Sequence, residues 1–301
     1  NAAALALAGI DAKATDPTGG QVVRDAKGTP TGWLVDTAAD PVFAAQQRAL
    51  AALPVAEQRR LRVDQVRRAG QEALSKGVTT FHDAGASFAT IDLYRELAEA
   101  GELPVRLYAM VGGESNERLA QELPRYRLVG HANHFLTVRA IKRMVDGALG
   151  SRSAWLLEPY ADAPDSTGLV VDSLETIERT AELALANGYQ LNTHAIGDRA
   201  NREILDLYER VQRGHDGRAL RWRIEHAQHL HPTDVPRFAR LGVIASMQGV
   251  HASSDGPWVP KRLGEPRAGE RTYVWRSLID SGALVSNGTD VPVEDIDPLA
   301  S

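Results

Sequence analysis

Short apolar and β-branched runs alternate with amphipathic stretches through most of the chain, from residue 78 onward. The short runs predict strands, and apolar positions three and four residues apart predict helices. The predicted strands are Val78–Asp83, Val105–Val111, Val138–Asp146, Gln190–Ala195, Trp222–Ala227, Val243–Met247 and Leu284–Thr289. The helices predicted between them are Phe88–Ala100, Ser115–Glu122, Ser173–Asn187, Arg199–Gln212, Thr233–Leu241 and Tyr273–Ser281. This alternation is typical of βαβ units and a parallel sheet.

The N-terminal part of the chain has a different pattern. Residues 1–41 are rich in Gly, Pro and Asp, and a Lys27-Gly28 turn predicts two short strands around it. Residues 42–76 have the spacing of one or two amphipathic surface helices. No GxGxxG or GxxxxGK[ST] motif follows any predicted strand, which argues against an open nucleotide-binding sheet and favours a closed (β/α) barrel.

Composition narrows the class of protein. A chain of 301 residues suits one large α/β barrel, which typically needs about 250 residues. Hydrophobic residues make up 43% and charged residues 24%, so a compact core is expected. The net charge of -5 gives no basic surface for nucleic acid, and no apolar run approaches the roughly 20 residues that span a bilayer. We therefore expect a cytoplasmic protein with a small-molecule substrate and neither nucleic acid nor membrane as partner. A homodimer is left open.

The absence of cysteine restricts the chemistry of any metal site. Without Cys there is no disulfide, no thiolate ligand and no cysteine nucleophile in this chain. A metal ion would have to be held by His, carboxylate or a modified side chain.

Polar residues stand where several predicted strands end. His194, His226 and Asp290 close three strands, and Lys142 lies inside a fourth. The active site of a (β/α) barrel is built from the C-terminal ends of its strands, and imidazole with carboxylate suits zinc and related divalent ions. A single His in a strand is more often a packing residue, but the joint pattern favours a metal site.

Five segments of the chain resemble a known family in their order and spacing. They are VTTFHDAG, IKRMVDGALGSRSAWLLEPYADAP, LNTHAIGDRANREILDLYE, RIEHAQHLHPTDVPRFARLGVIASMQGVHASSD and NGTDVPVEDIDPL. They are similar to the YtcJ-like branch of the amidohydrolase superfamily, often called amidohydrolase family 3. The resemblance implies a distorted TIM-like (β/α)8 barrel beside a small β-sandwich. It also implies a metal-dependent hydrolase that cleaves C–N bonds in amides, N-acyl compounds or N-substituted formamides.

The resemblance assigns roles to the strand-end residues. Lys142 would be the strand-four lysine that is carboxylated in related enzymes to bridge two metals. His194 and His226 would be the metal ligands of strands five and six. Asp290 would be the strand-eight carboxylate that binds metal and takes the proton of the attacking water. One or two divalent ions are implied, with zinc expected.

The first-strand HxH pair of the family is absent from these residues. His229-Leu230-His231 has the HxH letters but lies in the loop after strand six. We therefore expect the first strand and the β-sandwich to lie outside this chain. Residues 1–301 would then form a partial (β/α) barrel catalytic domain, with 1–41 as a β-rich excursion and 42–301 carrying strands two to eight.

Other residues near the strand ends are further candidates. Arg152 is expected either to clamp a substrate carboxylate or to form a structural salt bridge. His251 and Trp155 lie in loops after strands and are expected to contact substrate. Residues expected to support the metal ligands by hydrogen bonding are Asp146, Asp198 and Glu225, with a helix N-cap as the alternative for Asp198.

Two other functions remain open at this point. Lys142, desolvated inside a barrel, could form the Schiff base of a metal-free lyase or aldolase. The missing HxH pair would also fit a non-catalytic binding module derived from the hydrolase fold.

Overall fold

The computed structural model describes residues 1–301. Its N-terminal part contains a hairpin and three helices. Helix α1 spans Ala2–Leu7, and strands β1 (Gly20–Arg24) and β2 (Pro30–Asp36) pair antiparallel. The Asp25 carboxylate accepts the backbone N–H groups of Lys27 and Thr29, which fixes the predicted turn. A 3-10 turn, Thr37–Ala39, leads into α2 (Asp40–Ala51) and α3 (Val55–Ser75).

Strands and helices then alternate to the end of the chain. Strands β3 to β10 are, in order, Thr80–Ala86, Arg106–Val111, Leu128–Gly130, Leu136–Met144, Gln190–Ala195, Arg223–His226, Ile244–Met247 and Val285–Asn287. Helices α4 to α14 are Phe88–Glu99, Asn116–Tyr126, His131–His134, Leu174–Asn187, Asp198–Val211, Gly217–Leu220, Val235–Leu241, Gly249–Ser254, Val259–Leu263, Glu265–Arg271 and Trp275–Asp280. All seven predicted strands and six predicted helices are present; β7 has the predicted bounds, and the others differ at one or both ends.

The strand order is that of a (β/α) barrel. Seven parallel strands lie side by side in chain order, β3-β4-β6-β7-β8-β9-β10, and the short β5 pairs antiparallel with β6. An open doubly wound sheet would reverse its order at a switch point, and this sheet does not. Strands β3 and β10 are its two edges, and residues of both line one cavity. The chain is thus an α/β protein with a curled parallel sheet.

Two hydrophobic cores position the strand ends. The larger core fills the space between the sheet and its helices, and includes Trp222, Tyr208 and Phe238. A smaller core lies among loop segments and short helices that follow β6, β7 and β9. It is formed by Leu149, Ala154, Leu156, Tyr160, Ile196, Val259, Leu263 and Ala268. Side chains of Ser87, Ser115 and Ser173 accept the N-terminal amides of α4, α5 and α7.

The loop regions differ most from the prediction. Strand β6 ends at Met144, so Asp146 lies in the following loop rather than in a strand. Residues 249–271 form three short helices, α11 to α13, which the sequence pattern did not predict. None of the helices combines the length and hydropathy that crossing a bilayer requires.

Candidate active site

A cavity of about 900 Å³ lies among the strands and the loops that follow them. Its lining contains Lys142, His194, His226 and Asp290, the four residues predicted to hold metal. It also contains His251, which follows β9 in α11. Residues predicted on four separate strands are therefore brought to one place.

Three of these side chains lie close enough to share an ion. One ligand atom from each of His226, His251 and Asp290 lies within 4.8 Å of the others. The His194 and His226 rings are 4.5 Å apart between centroids, and those of His226 and His251 are 6.2 Å apart. In the sheet, His194 is in register with Met144 of β6 and Ala195 with His226 of β8.

The backbone is unusual at two of these residues. His226 has a φ of 76° and Asp290 a φ of 57°, both in the left-handed region. Non-glycine residues avoid this region unless the surrounding structure holds them there, and such residues cluster at functional sites. The strain therefore supports a functional interpretation of these two strand ends.

Burial keeps the imidazoles of His194 and His226 neutral. Burial, helped by the charges of His226 and Lys142, lowers the pKa of His194 well below its usual value. Burial and the charge of Lys142 lower the pKa of His226 to about 4. The Nε2 atoms of His194 and His251 are buried and have no hydrogen-bond partner. The neutral rings of His194 and His226, the unpaired Nε2 of His194 and the nearby Asp290 carboxylate form a donor set that fits a divalent ion.

Lys142 is held as a weak base by its surroundings. Burial lowers its pKa, while the negative charges of Glu225 and Asp290 oppose that shift. The neutral amine is the form that reacts with carbon dioxide or with a carbonyl group, so this environment suits a modified lysine.

Glu225 belongs to a buried charged cluster in the cavity wall. Its Oε1 lies 2.9 Å from Arg223 Nη2, and Arg223 Nη1 lies 3.2 Å from His82 Nδ1. Glu225 thus pairs with Arg223 and acts on Lys142 through its charge.

Asp146 joins the ends of two strands. It is fully buried, and its carboxylate accepts the backbone N–H groups of Trp155 at 2.8 Å, Ile196 at 3.0 Å and Gly197 at 2.8 Å. Its Oδ1 also lies 3.4 Å from Nε2 of His194. Asp146 therefore fixes the loop after β6 against the end of β7, beside a predicted ligand.

No hydrogen bond joins Asp198 to His194. Its carboxylate accepts the Leu157 N–H at 2.8 Å and a hydrogen bond from Arg271 Nη1 at 3.0 Å. It does not cap α8 through its side chain, since Gly197 occupies the N-cap position. Asp198 anchors loops to the start of α8.

Arg152 and Trp155 are not among the residues that line the cavity. Arg152 forms a two-point pair with Asp162, with Nε 3.1 Å from Oδ1 and Nη2 2.8 Å from Oδ2, and Arg262 contacts the same carboxylate. The guanidinium of Arg199 lies 4.7 Å from the Trp155 ring centroid. Arg152 thus forms the structural salt bridge that was the second expectation for it. Trp258, rather than Trp155, lines the cavity.

The sequence analysis missed how closely His251 approaches Asp290, and it missed two glutamines. Gln248 contacts His226 and Gln228 contacts His251. Each glutamine lies just after a strand end and within three residues of a histidine. This position is the only signal that the sequence offers for the two glutamines.

Comparison with known proteins agrees with the fold. The model described as the Amidohydrolase family matches residues 1–301. The chain belongs to this family.

Among curated relatives, the Protein LONG AFTER FAR-RED 3 of Arabidopsis thaliana is 36% identical over the whole chain and 52% of its own length. The putative amidohydrolase YtcJ of Bacillus subtilis is 35% identical over 99% of the chain and 54% of its own length. An uncharacterized metal-dependent hydrolase from Pyrococcus furiosus has a similar structure, with a TM-score of 0.74 and 27% identity. That match covers 99% of this chain and 57% of the other. The chain spans about half the length of the relatives it matches.

Proposed function

We propose that this chain carries the active site of a metal-dependent hydrolase that cleaves C–N bonds in amides, N-acyl compounds or N-substituted formamides. The observation that carries the proposal is that Lys142, His194, His226 and Asp290 line one cavity, with ligand atoms of His226 and Asp290 within 4.8 Å of each other. Family membership supports a hydrolase. A relative named N-substituted formamide deformylase, from Arthrobacter pascens, supports the bond type, at 28% identity over 99% of this chain and 54% of its own length.

The residues that would hold the ion are Lys142 in a carboxylated form, His194, His226 and Asp290, with zinc as the proposed metal. A bound divalent ion lowers the pKa of water and polarises the scissile carbonyl. The low pKa of His226, about 4, keeps its ring neutral and able to ligate at physiological pH.

Asp290 is the residue that moves the proton. Its pKa is raised by burial, against the opposing charges of His251 and Lys142, so it is a stronger base than an exposed carboxylate. Asp290 accepts a proton from the attacking water as the oxygen adds to the carbonyl carbon. It then gives that proton to the nitrogen as the C–N bond breaks, which releases an amine and a carboxylic acid.

The lining of the cavity supports a small-molecule substrate. A volume of about 900 Å³ is at the upper end of small-molecule sites. Apolar side chains of Leu149, Met144 and Trp258 line part of its wall, while charged residues lie at the strand ends. This arrangement suits a small molecule with an apolar portion and a polar reacting group.

Replacing Asp290 by Asn tests the proposal. The amide oxygen can still ligate, but it is a poor base. We expect bound metal to persist and turnover of N-acyl and formamide substrates to fall by about 10²–10⁴-fold.

The matched control is Asp280→Asn on α14, an exposed carboxylate paired only with Arg276. It should leave turnover unchanged. Full activity in Asp290→Asn would show that another group moves the proton.

A further inference from the structure

Two glutamines contact the site histidines with different atoms. Gln248 presents its carbonyl oxygen to His226, with Oε1 2.8 Å from Nδ1. The Gln248 amide nitrogen donates to the carbonyl of Ser246 at 3.2 Å, which fixes the orientation of the group. Since Oε1 can only accept, Nδ1 of His226 carries the ring proton and Nε2 keeps its lone pair.

Gln228 presents the opposite end of its amide to His251. Its Nε2 lies 3.3 Å from His251 Nδ1 and 3.2 Å from Oδ2 of Asp255. The hydroxyl of Tyr273 donates to the same Asp255 oxygen at 3.3 Å. A carboxylate can only accept hydrogen bonds. Asp255 therefore orients the Gln228 amide so that its NH₂ group faces both Asp255 and the ring of His251.

The ring proton of His251 must then lie on the other nitrogen. Nδ1 accepts from Gln228, which leaves the proton on Nε2 and no lone pair there for a metal. This Nε2 is buried without a partner, and it lies 3.8 Å from Oδ2 of Asp290. A small movement of either side chain would complete a hydrogen bond between them.

We propose that the two glutamines set opposite tautomers, which makes His226 a metal ligand and His251 a hydrogen-bond donor that positions the Asp290 carboxylate. This inference rests on the proposed function, because it assumes that the site binds a divalent metal. His251 is thus a positioning residue, although its distances alone would also allow a third ligand.

The glutamines give a paired test in the full protein. Gln248→Met removes the acceptor that orients His226, and we expect zinc affinity, measured by competition with a chelator, to fall about 10–100-fold. Gln228→Met removes the donor to His251, and we expect zinc affinity to stay within about 3-fold while kcat falls at least about 10-fold. Equal losses of zinc affinity in the two variants would overturn the assignment.

His251 itself supplies a second, spectroscopic test. In cobalt-substituted protein, His251→Leu should keep the metal stoichiometry and the visible absorption of the unaltered protein, because no ligand is lost. His251→Gln should recover part of the kcat that His251→Leu loses, since a Gln amide can also donate to Asp290. A changed cobalt spectrum or lost metal in His251→Leu would make His251 a ligand and refute the proposal. Absence of metal from the unaltered protein would instead refute the proposed function, and with it this inference.

Discussion

Asp146→Asn is the change whose cost can be worked out most directly from the structure. Oδ2 of Asp146 accepts two backbone N–H groups, from Trp155 and Gly197, and Oδ1 accepts one from Ile196. An amide has one oxygen, so its best orientation keeps two bonds and turns its NH₂ against the Ile196 N–H. One hydrogen bond is lost and one buried donor is left unpaired.

Such a change should cost about 2–4 kcal/mol, which combines the loss of one hydrogen bond with the cost of leaving its buried partner unpaired. Amide hydrogen exchange is the assay, because it reports the Ile196 N–H itself and needs no assumption that the whole chain unfolds in one step. We expect exchange at Ile196 to accelerate about 30-fold or more.

Asp172→Asn is the matched control. Asp172 accepts one backbone N–H, from Met144 at 3.1 Å, and an Asn oxygen can keep that bond. We expect a change of less than about 0.5 kcal/mol there. If exchange at Ile196 were the same in both variants, Asp146 would not join the two strand ends.

Two further substitutions test the surroundings of the site. In Gly197→Ala the new Cβ would lie 2.0 Å from the backbone oxygen of Trp155, so thermal unfolding should show a loss of about 3 kcal/mol. The control is Gly269→Ala in α13, where a new Cβ would have no atom within 4 Å. It should leave stability unchanged or raise it by up to about 1 kcal/mol. Similar losses of stability in both variants would contradict the packing argument. Arg152→Ala should leave KM unchanged and cost less than about 1 kcal/mol of stability, since Arg152 pairs with Asp162 rather than with substrate. A large rise in KM would restore its predicted role as a substrate clamp.

The sequence predicted the sheet and the strand-end residues because both follow from local pattern. Apolar runs mark each parallel strand, and a barrel brings the C-terminal ends of its strands together. Four residues could therefore be assigned to one place from the sequence alone, and all four line one cavity: Lys142, His194, His226 and Asp290.

The loops could not be predicted in this way, because their geometry depends on distant contacts. Arg152 pairs with Asp162 within the loop after β6, and Arg262 reaches the same carboxylate only because that loop packs against α12. The approach of His251 to Asp290 depends on α11, a helix too short to leave a clear periodic signal. The tautomer of His251 depends on Gln228, which lies in another loop.

Metal content tests the central claim most directly. Elemental analysis of the complete protein should be made after dialysis against zinc, beside its His226→Ala variant. We predict about one or two equivalents of divalent metal in the unaltered protein and a much smaller amount in the variant. The absence of metal from both would contradict a metal-dependent site, and equal metal in both would contradict the ligand role of His226.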